Sequence, residues 1–143
     1  MSATLELREL RKRYGETVAL DGASFAVGAG EMFGFVGPKR HLPPGLALAE
    51  LPHIDAVVVS HNHYDHLDEA SVRALAAQPG GSPLFVVPLG IKSWFAALGI
   101  ERAVELDWWQ SARVGTVEIV FTPTQHWSGR GLGDRMATLW GSY

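Results

Sequence analysis

Four residues within six positions, His61, His63, Asp65 and His66, carry the side chains that a hydrolytic metal ion accepts. They stand in the run Ser60-His61-Asn62-His63-Tyr64-Asp65-His66-Leu67-Asp68. In extended chain, residues two apart point the same way, so His61 and His63 can converge on one ion while Asp65 and His66 turn toward a neighbouring position. Two metal positions result, and Asp65 and His66 are the candidate catalytic residues. Neutral imidazole and carboxylate suit zinc, manganese or iron, and a coordination place left open lets water bind and lose a proton near pH ~7. The pattern H-x-H-x-D-H arises by chance in roughly one chain of this size in two thousand, so it reads as a site and not as scattered histidines. No cysteine is present, which excludes thiolate zinc sites, disulfides and cysteine nucleophiles.

A third imidazole is available at His126, in Thr122-Pro123-Thr124-Gln125-His126-Trp127, directly after a strand-like stretch. With His61 and His63 it completes a three-histidine set, a common arrangement for a catalytic zinc. His41 and His53 have no ligand-spaced neighbours and read as ordinary hydrogen-bonded residues. Asp68 reads as a helix cap, and Tyr64 as a brace or hydrogen-bonding group beside the metals. Arg130 can fork onto a phosphate or stand solvated, and Trp108, Trp109, Trp127 and Trp140 either pack or line an amphiphilic groove.

The elements that must position these groups follow an α/β grammar from Leu42 onward. Ile54 to Val59 predicts a strand ending at the histidine loop, Glu69 to Ala77 a helix capped by Asp68, and Leu84 to Val87 the next strand. Lys92 to Leu98 predicts a helix stopped by Gly99, and Ala103 to Leu106 a further strand. Arg113 to Pro123 predicts a hairpin turning at Gly115-Thr116 with Val117, Ile119 and Phe121 on one face. Ahead of this, Thr4 to Gly37 reads as three short strands punctuated by Gly15, Gly22 and Gly28 to Gly30, with Leu5, Leu7 and Leu10 facing a core and Met32 to Val36 as a buried strand. The junction falls in Pro38 to Pro44, which divides the chain into residues 1–38 and 39–143.

The bulk numbers exclude several classes. With 143 residues, 47% of them hydrophobic, one ordinary core is affordable but hardly two. Twelve basic against fifteen acidic residues, a net charge of -3, offer no footprint for nucleic acid or an anionic membrane. No apolar run reaches transmembrane length and no signal peptide is evident, so a cytoplasmic protein is the expectation.

Two resemblances attach to these motifs. His61 to Asp68, Gln125-His126-Trp127 and Leu139-Trp140-Gly141-Ser142 resemble the metallo-beta-lactamase superfamily, within it the group of N-acyl phosphatidylethanolamine phospholipase D and its bacterial relatives, over residues 40–143. The resemblance implies an αββα sandwich, a dinuclear zinc centre and hydrolysis of a small or lipid-like phosphodiester by metal-activated water. By that resemblance His61, His63 and His126 hold the first zinc, and Asp65 and His66 contribute to the second. Residues 4–37 resemble the opening of an ABC transporter ATP-binding subunit, with Tyr14 at the place of the adenine-stacking aromatic. The phosphate loop does not follow: Gly37-Pro38-Lys39-Arg40-His41-Leu42 lacks the second glycine and the Lys-Ser/Thr pair, so ATP binding is not expected.

Up to Tyr143 the chain holds no counterpart of the superfamily's bridging aspartate or final histidine. The expectation is therefore a partial αββα sandwich preceded by a short β segment, one or two zinc ions with an incomplete second site, and impaired turnover, as from a truncated or chimeric reading frame. Half a sandwich also predicts an apolar sheet face left uncovered. The rival readings are a non-catalytic metal-binding module and a transporter-subunit remnant without ATPase activity.

Overall fold

Only the middle of the apolar run before the histidine loop is laddered. In the computed structural model, which describes residues 3–28 and 47–143, strand β3 (Ala56–Val58) pairs in parallel with β4 (Leu84–Pro88), and β4 with β5 (Ala103–Leu106). Parallel neighbours need crossovers, and helices α1 (Glu69–Ala76) and α2 (Lys92–Ala97) supply them. Asp68 caps α1 as its sequence position predicts, its Oδ2 accepting from the Ser71 amide at 2.8 Å. Gly99 takes a positive φ of 76° just beyond α2, a conformation that stops a helix at little cost only in glycine.

The alternation of β4 sends its side chains to two separate cores. Phe85 and Val87 join Val59, Leu67, Val72, Ile91 and Phe95 beneath the helices. Val86 joins Leu106, Ile119 and Phe121 on the other side, with Trp108, Leu139 and Tyr143 closing around them. That second face is the one expected to lie open. It is covered by the antiparallel hairpin of β6 (Ser111–Val114) and β7 (Val117–Val120) and by the segment through Tyr143, so Val86 is as fully buried as Phe85 and Val87 on the helix side. Burying a side chain of this size stabilises by about 1.5–3 kcal/mol, which is why the hairpin turns Ile119 and Phe121 inward and leaves Glu118 and Val120 outside. Among the described residues β3 and β5 each pair along one edge only. The architecture is mixed α/β around a parallel sheet, the class that the sequence predicts.

The end of the chain is stitched to the sheet. Thr122 and Ser142 exchange main-chain hydrogen bonds of 2.7 and 2.8 Å, and the Tyr143 hydroxyl lies 3.1 Å from the carbonyls of both Val59 and Val86. Burial raises the pKa of that phenol, so it stays a donor.

The chain divides into two units, residues 1–34 and 35–143. Within the first, two long antiparallel strands, β1 (Ala3–Tyr14) and β2 (Thr17–Gly28), turn at Gly15-Glu16. Two strands therefore replace the first part of the three-strand expectation. Gly22 lies inside β2 at φ 78°, where the register with β1 slips between Leu10 and Lys12; Glu9, at the adjoining slip between Leu7 and Leu10, also takes a positive φ. The conformational freedom of Gly22 serves a bulge here and not a turn. Leu10 is half-buried. The side chains of Leu5, Leu7 and Tyr14, the expected strand Met32 to Val36, the loop Gly37 to Leu42 with His41, and the junction Pro38 to Pro44 lie outside the described residues. Among the described residues no helix is long and apolar enough to cross a membrane.

Candidate metal centre

The histidine loop begins where β3 leaves the sheet. The Val59 amide still bonds to the Val86 carbonyl at 3.0 Å, and the Ser60 carbonyl accepts from the Gly141 amide at 2.9 Å. The chain then turns tightly, since the His63 carbonyl accepts from the amides of both His66 and Leu67 at 3.0 and 2.8 Å. Leu67, buried in the helix-side core, and the Asp68 cap hold the far end. His126 arrives on the segment that follows β7, whose path is set by the Thr122–Ser142 bridge and by the Trp140 indole donating to the Thr124 carbonyl at 3.1 Å.

These two segments bring together the three imidazoles that the sequence singles out. One ring nitrogen from each of His61, His63 and His126 lies within 4.8 Å of the others. The Nε2 atoms of His61 and His126 approach to 3.0 Å, and the Nε2 of His63 is buried with no hydrogen-bond partner. A buried nitrogen without a partner is costly, and three nitrogens aimed at one place fit a cation better than they fit each other. Three imidazoles are a donor set that a divalent metal ion accepts. His66 packs its ring 4.2 Å from that of His61, and its Nε2 stands 3.6 Å from Asp65 Oδ2. Asp65 and His66 are thus beside the trio and beside each other, but their ligand atoms do not converge with it.

The local field keeps His61 and His63 uncharged. Burial, helped by the neighbouring His66, His126 and His63, pushes His61 down to about 3, with Asp65 pulling weakly the other way. His63 is lowered as well, first by desolvation and then by His126. The Ser60 hydroxyl lies 2.9 Å from His61 Nδ1, and a proton on that nitrogen leaves the Nε2 lone pair facing the site. Both histidines titrate lower folded than unfolded, so the unfolded chain takes up protons first as pH falls. The contribution of His61 is full above about 6.5 and is lost progressively toward about 3, and that of His63 is lost in the same direction. The free energy of urea unfolding of the metal-free protein is expected to drop between pH ~7 and ~5, by roughly 1 kcal/mol per pH unit. His61→Gln should flatten that slope; an unchanged slope would assign it to other groups.

Several contributors carry no sequence signal of their own. Asn62 is buried and accepts from the Gly129 amide at 2.6 Å, joining the two ligand-bearing segments. Asp134 gathers the amides of Arg130 and Gly131 at 2.7 to 3.0 Å, and these bonds lower its pKa. Arg130, read from the sequence as a phosphate contact or a solvated residue, lies 4.2 Å over the Tyr64 ring and 5.2 Å over that of Trp94. Of the tryptophans, Trp108 and Trp140 pack edge to face and are half-buried, whereas Trp127 covers His63 at 4.2 Å and is partly exposed. Trp109 is exposed. His53, read as a bystander, bonds to the Pro79 carbonyl at 3.0 Å.

A family model described as Beta-lactamase superfamily domain matches residues 26–143. An uncharacterized protein of Mycobacterium tuberculosis is 48% identical over 110 residues, which are 76% of this chain and 29% of that protein. The mitochondrial N-acyl-phosphatidylethanolamine-hydrolyzing phospholipase D of Saccharomyces cerevisiae is 38% identical over 112 residues, covering 76% of this chain and 24% of the relative. The N-acyl-phosphatidylethanolamine-hydrolyzing phospholipase D 1 of Caenorhabditis elegans is 39% identical over 118 residues, with 76% and 33% covered. The chain spans about a quarter to a third of the length of these relatives. The transporter-like resemblance of residues 4–37 finds no support, and the matched domain enters that stretch at residue 26.

Proposed function

The chain belongs to the beta-lactamase superfamily, and from that premise we propose that it is a metal-dependent hydrolase of phosphodiesters, of the kind that N-acyl-phosphatidylethanolamine-hydrolyzing relatives act on. The observation that carries this reading is the convergence of His61, His63 and His126 from two segments onto one place at the end of a parallel strand. In it those three residues hold a first zinc ion, and Asp65 with His66 provides the protein's share of a second. A bound zinc supplies Lewis acidity toward phosphoryl oxygen and makes water a nucleophile near neutral pH. The chain's own residues do the rest. The Ser60 hydroxyl holds the His61 ring through Nδ1, the lowered pKa values keep His61 and His63 neutral, and Asp65 would accept a proton beside His66. Lipid-like phosphodiesters are the substrate class.

A second reading, a metal-binding module without catalysis, is favoured by the separation of Asp65 and His66 from the converging trio. Hydrolysis of bis(4-nitrophenyl) phosphate by the purified chain decides between them. Slow turnover that needs zinc, stops with chelator and falls at least about tenfold in Asp65→Ala supports the hydrolase. Zinc uptake with only background hydrolysis in both proteins selects the module. Labelled ATP is expected not to bind saturably, since the residues 37–42 lack the phosphate-loop pattern.

A further inference from the structure

We propose that Asn62 is a positioning residue whose amide oxygen fixes the His126 segment against the loop carrying His61 and His63. The inference rests on the metal reading above and adds to it a residue that touches no metal. Asn62 stands between the two imidazoles in sequence yet bonds to neither; its Oδ1 accepts from the Gly129 amide at 2.6 Å. The contact is buried, where a hydrogen bond is electrostatically strong and an unmade one is costly. Gly129 lies three residues beyond His126, so a shift there is passed along a short lever to the third imidazole.

The surroundings make that lever stiff. Ser128 is fully buried, its hydroxyl donating to the Thr138 carbonyl at 2.5 Å and its carbonyl accepting from the Met136 amide at 2.8 Å. A Cβ at residue 129 would stand 3.3 Å from the Trp127 ring and 3.4 Å from Arg135 Cα, so the backbone there comes closer to its neighbours than most side chains allow. Residues 128–138 therefore form a folded-back support, and Asn62 is the buried hydrogen bond that ties it to the first ligand loop. Without that bond the His61–His126 approach of 3.0 Å depends on the Thr122–Ser142 bridge, the Trp140 bond to Thr124, the Trp127–His63 contact and the Arg130–Tyr64 contact, none of which reaches His126 itself.

The test is zinc affinity by chelator competition, together with the visible absorption of the cobalt-substituted chain. Asn62→Ala is expected to weaken zinc by about tenfold or more and to shift the cobalt spectrum toward fewer nitrogen ligands. Asn62→Asp, which keeps an acceptor oxygen in place, is expected to bind within about threefold of wild type. In a His126→Ala background, Asn62→Ala should cost no further affinity, because the group it positions is already gone. Equal affinity in wild type and Asn62→Ala, or a full additional loss in the His126→Ala background, would overturn the inference and leave the metal reading intact. No zinc uptake by wild type would overturn both. Should Asn62→Ala fail to fold, hydrogen exchange of the wild-type Gly129 amide decides the matter: zinc must raise its protection if the bond and the site are coupled, and equal exchange with and without zinc refutes the coupling.

Discussion

Zinc binds the wild-type chain at about one equivalent, and His61→Ala and His126→Ala each bind it at least about 100-fold more weakly; this is the result expected of a site built from two distant segments. The two variants test different halves of the geometry. His61 is buried and fixed by Ser60, so its removal leaves His63 and His126 without the central nitrogen of the trio. His126 is exposed and belongs to the segment after β7, so its removal leaves the histidine loop intact but reduces the ligands to two. Zinc at a hundred times its dissociation constant should also stabilise the fold by about 2.7 kcal/mol, read as a rise of several degrees in melting temperature. That rise should vanish in both variants. Mass spectrometry of metal content beside thermal unfolding checks all of this. Full occupancy in His126→Ala would mean that the ion sits on the histidine loop alone, with Asp65 and His66 as its other ligands.

Gly141→Ala is expected to destabilise the fold by about 3 kcal/mol, or to prevent folding, although it adds a single methyl group. A Cβ at this position runs into the Thr122 carbonyl oxygen and the Phe121 ring. Neither can yield. Phe121 is fully buried in the hairpin-side core, and Thr122 is bridged to Ser142. The amide of Gly141 also donates to the Ser60 carbonyl, one residue before the first ligand, so displacement of the strand end loosens the metal loop too. Urea denaturation of the metal-free protein reads the stability loss, and zinc titration reads the loss at the site. A midpoint within error of wild type would show that residues 141–143 are not seated on the hairpin as described.

How much of this is legible in the sequence depends on how local each signal is. The Asp68 cap, the strand Ala103–Leu106 and the turn at Gly115 are all specified within a few residues, and they stand where the sequence places them. His126 can be found because a histidine after a strand is itself a local pattern. Gly22 misleads because glycine marks a bulge as readily as a turn, and only the partner strand decides which. Asn62 and Asp134 give no signal because their value lies in the amides they meet, one of them far along the chain. Arg130 looks free to bind phosphate because nothing in its sequence neighbourhood announces the Tyr64 and Trp94 rings. The covered sheet face escapes for the same reason: a sequence does not state that Leu139 and Tyr143 return to lie over Val86.

The hydroxyl of Tyr143 spans two neighbouring parallel strands by their carbonyls, across separations of 84 and 57 residues, and His126 meets His61 across 65. Closures of that length are slow, because the chain loses the entropy of the whole loop before any contact repays it. The order of assembly follows. The helix-side core of α1, α2 and β4 can form from shorter-range contacts, whereas the three imidazoles meet only after the segment through residue 143 has docked. Zinc can then act as a late lock on a chain that has already found its topology. Adding it to refolding protein should leave the folding rate nearly unchanged and slow unfolding instead, the behaviour of an interaction absent from the transition state.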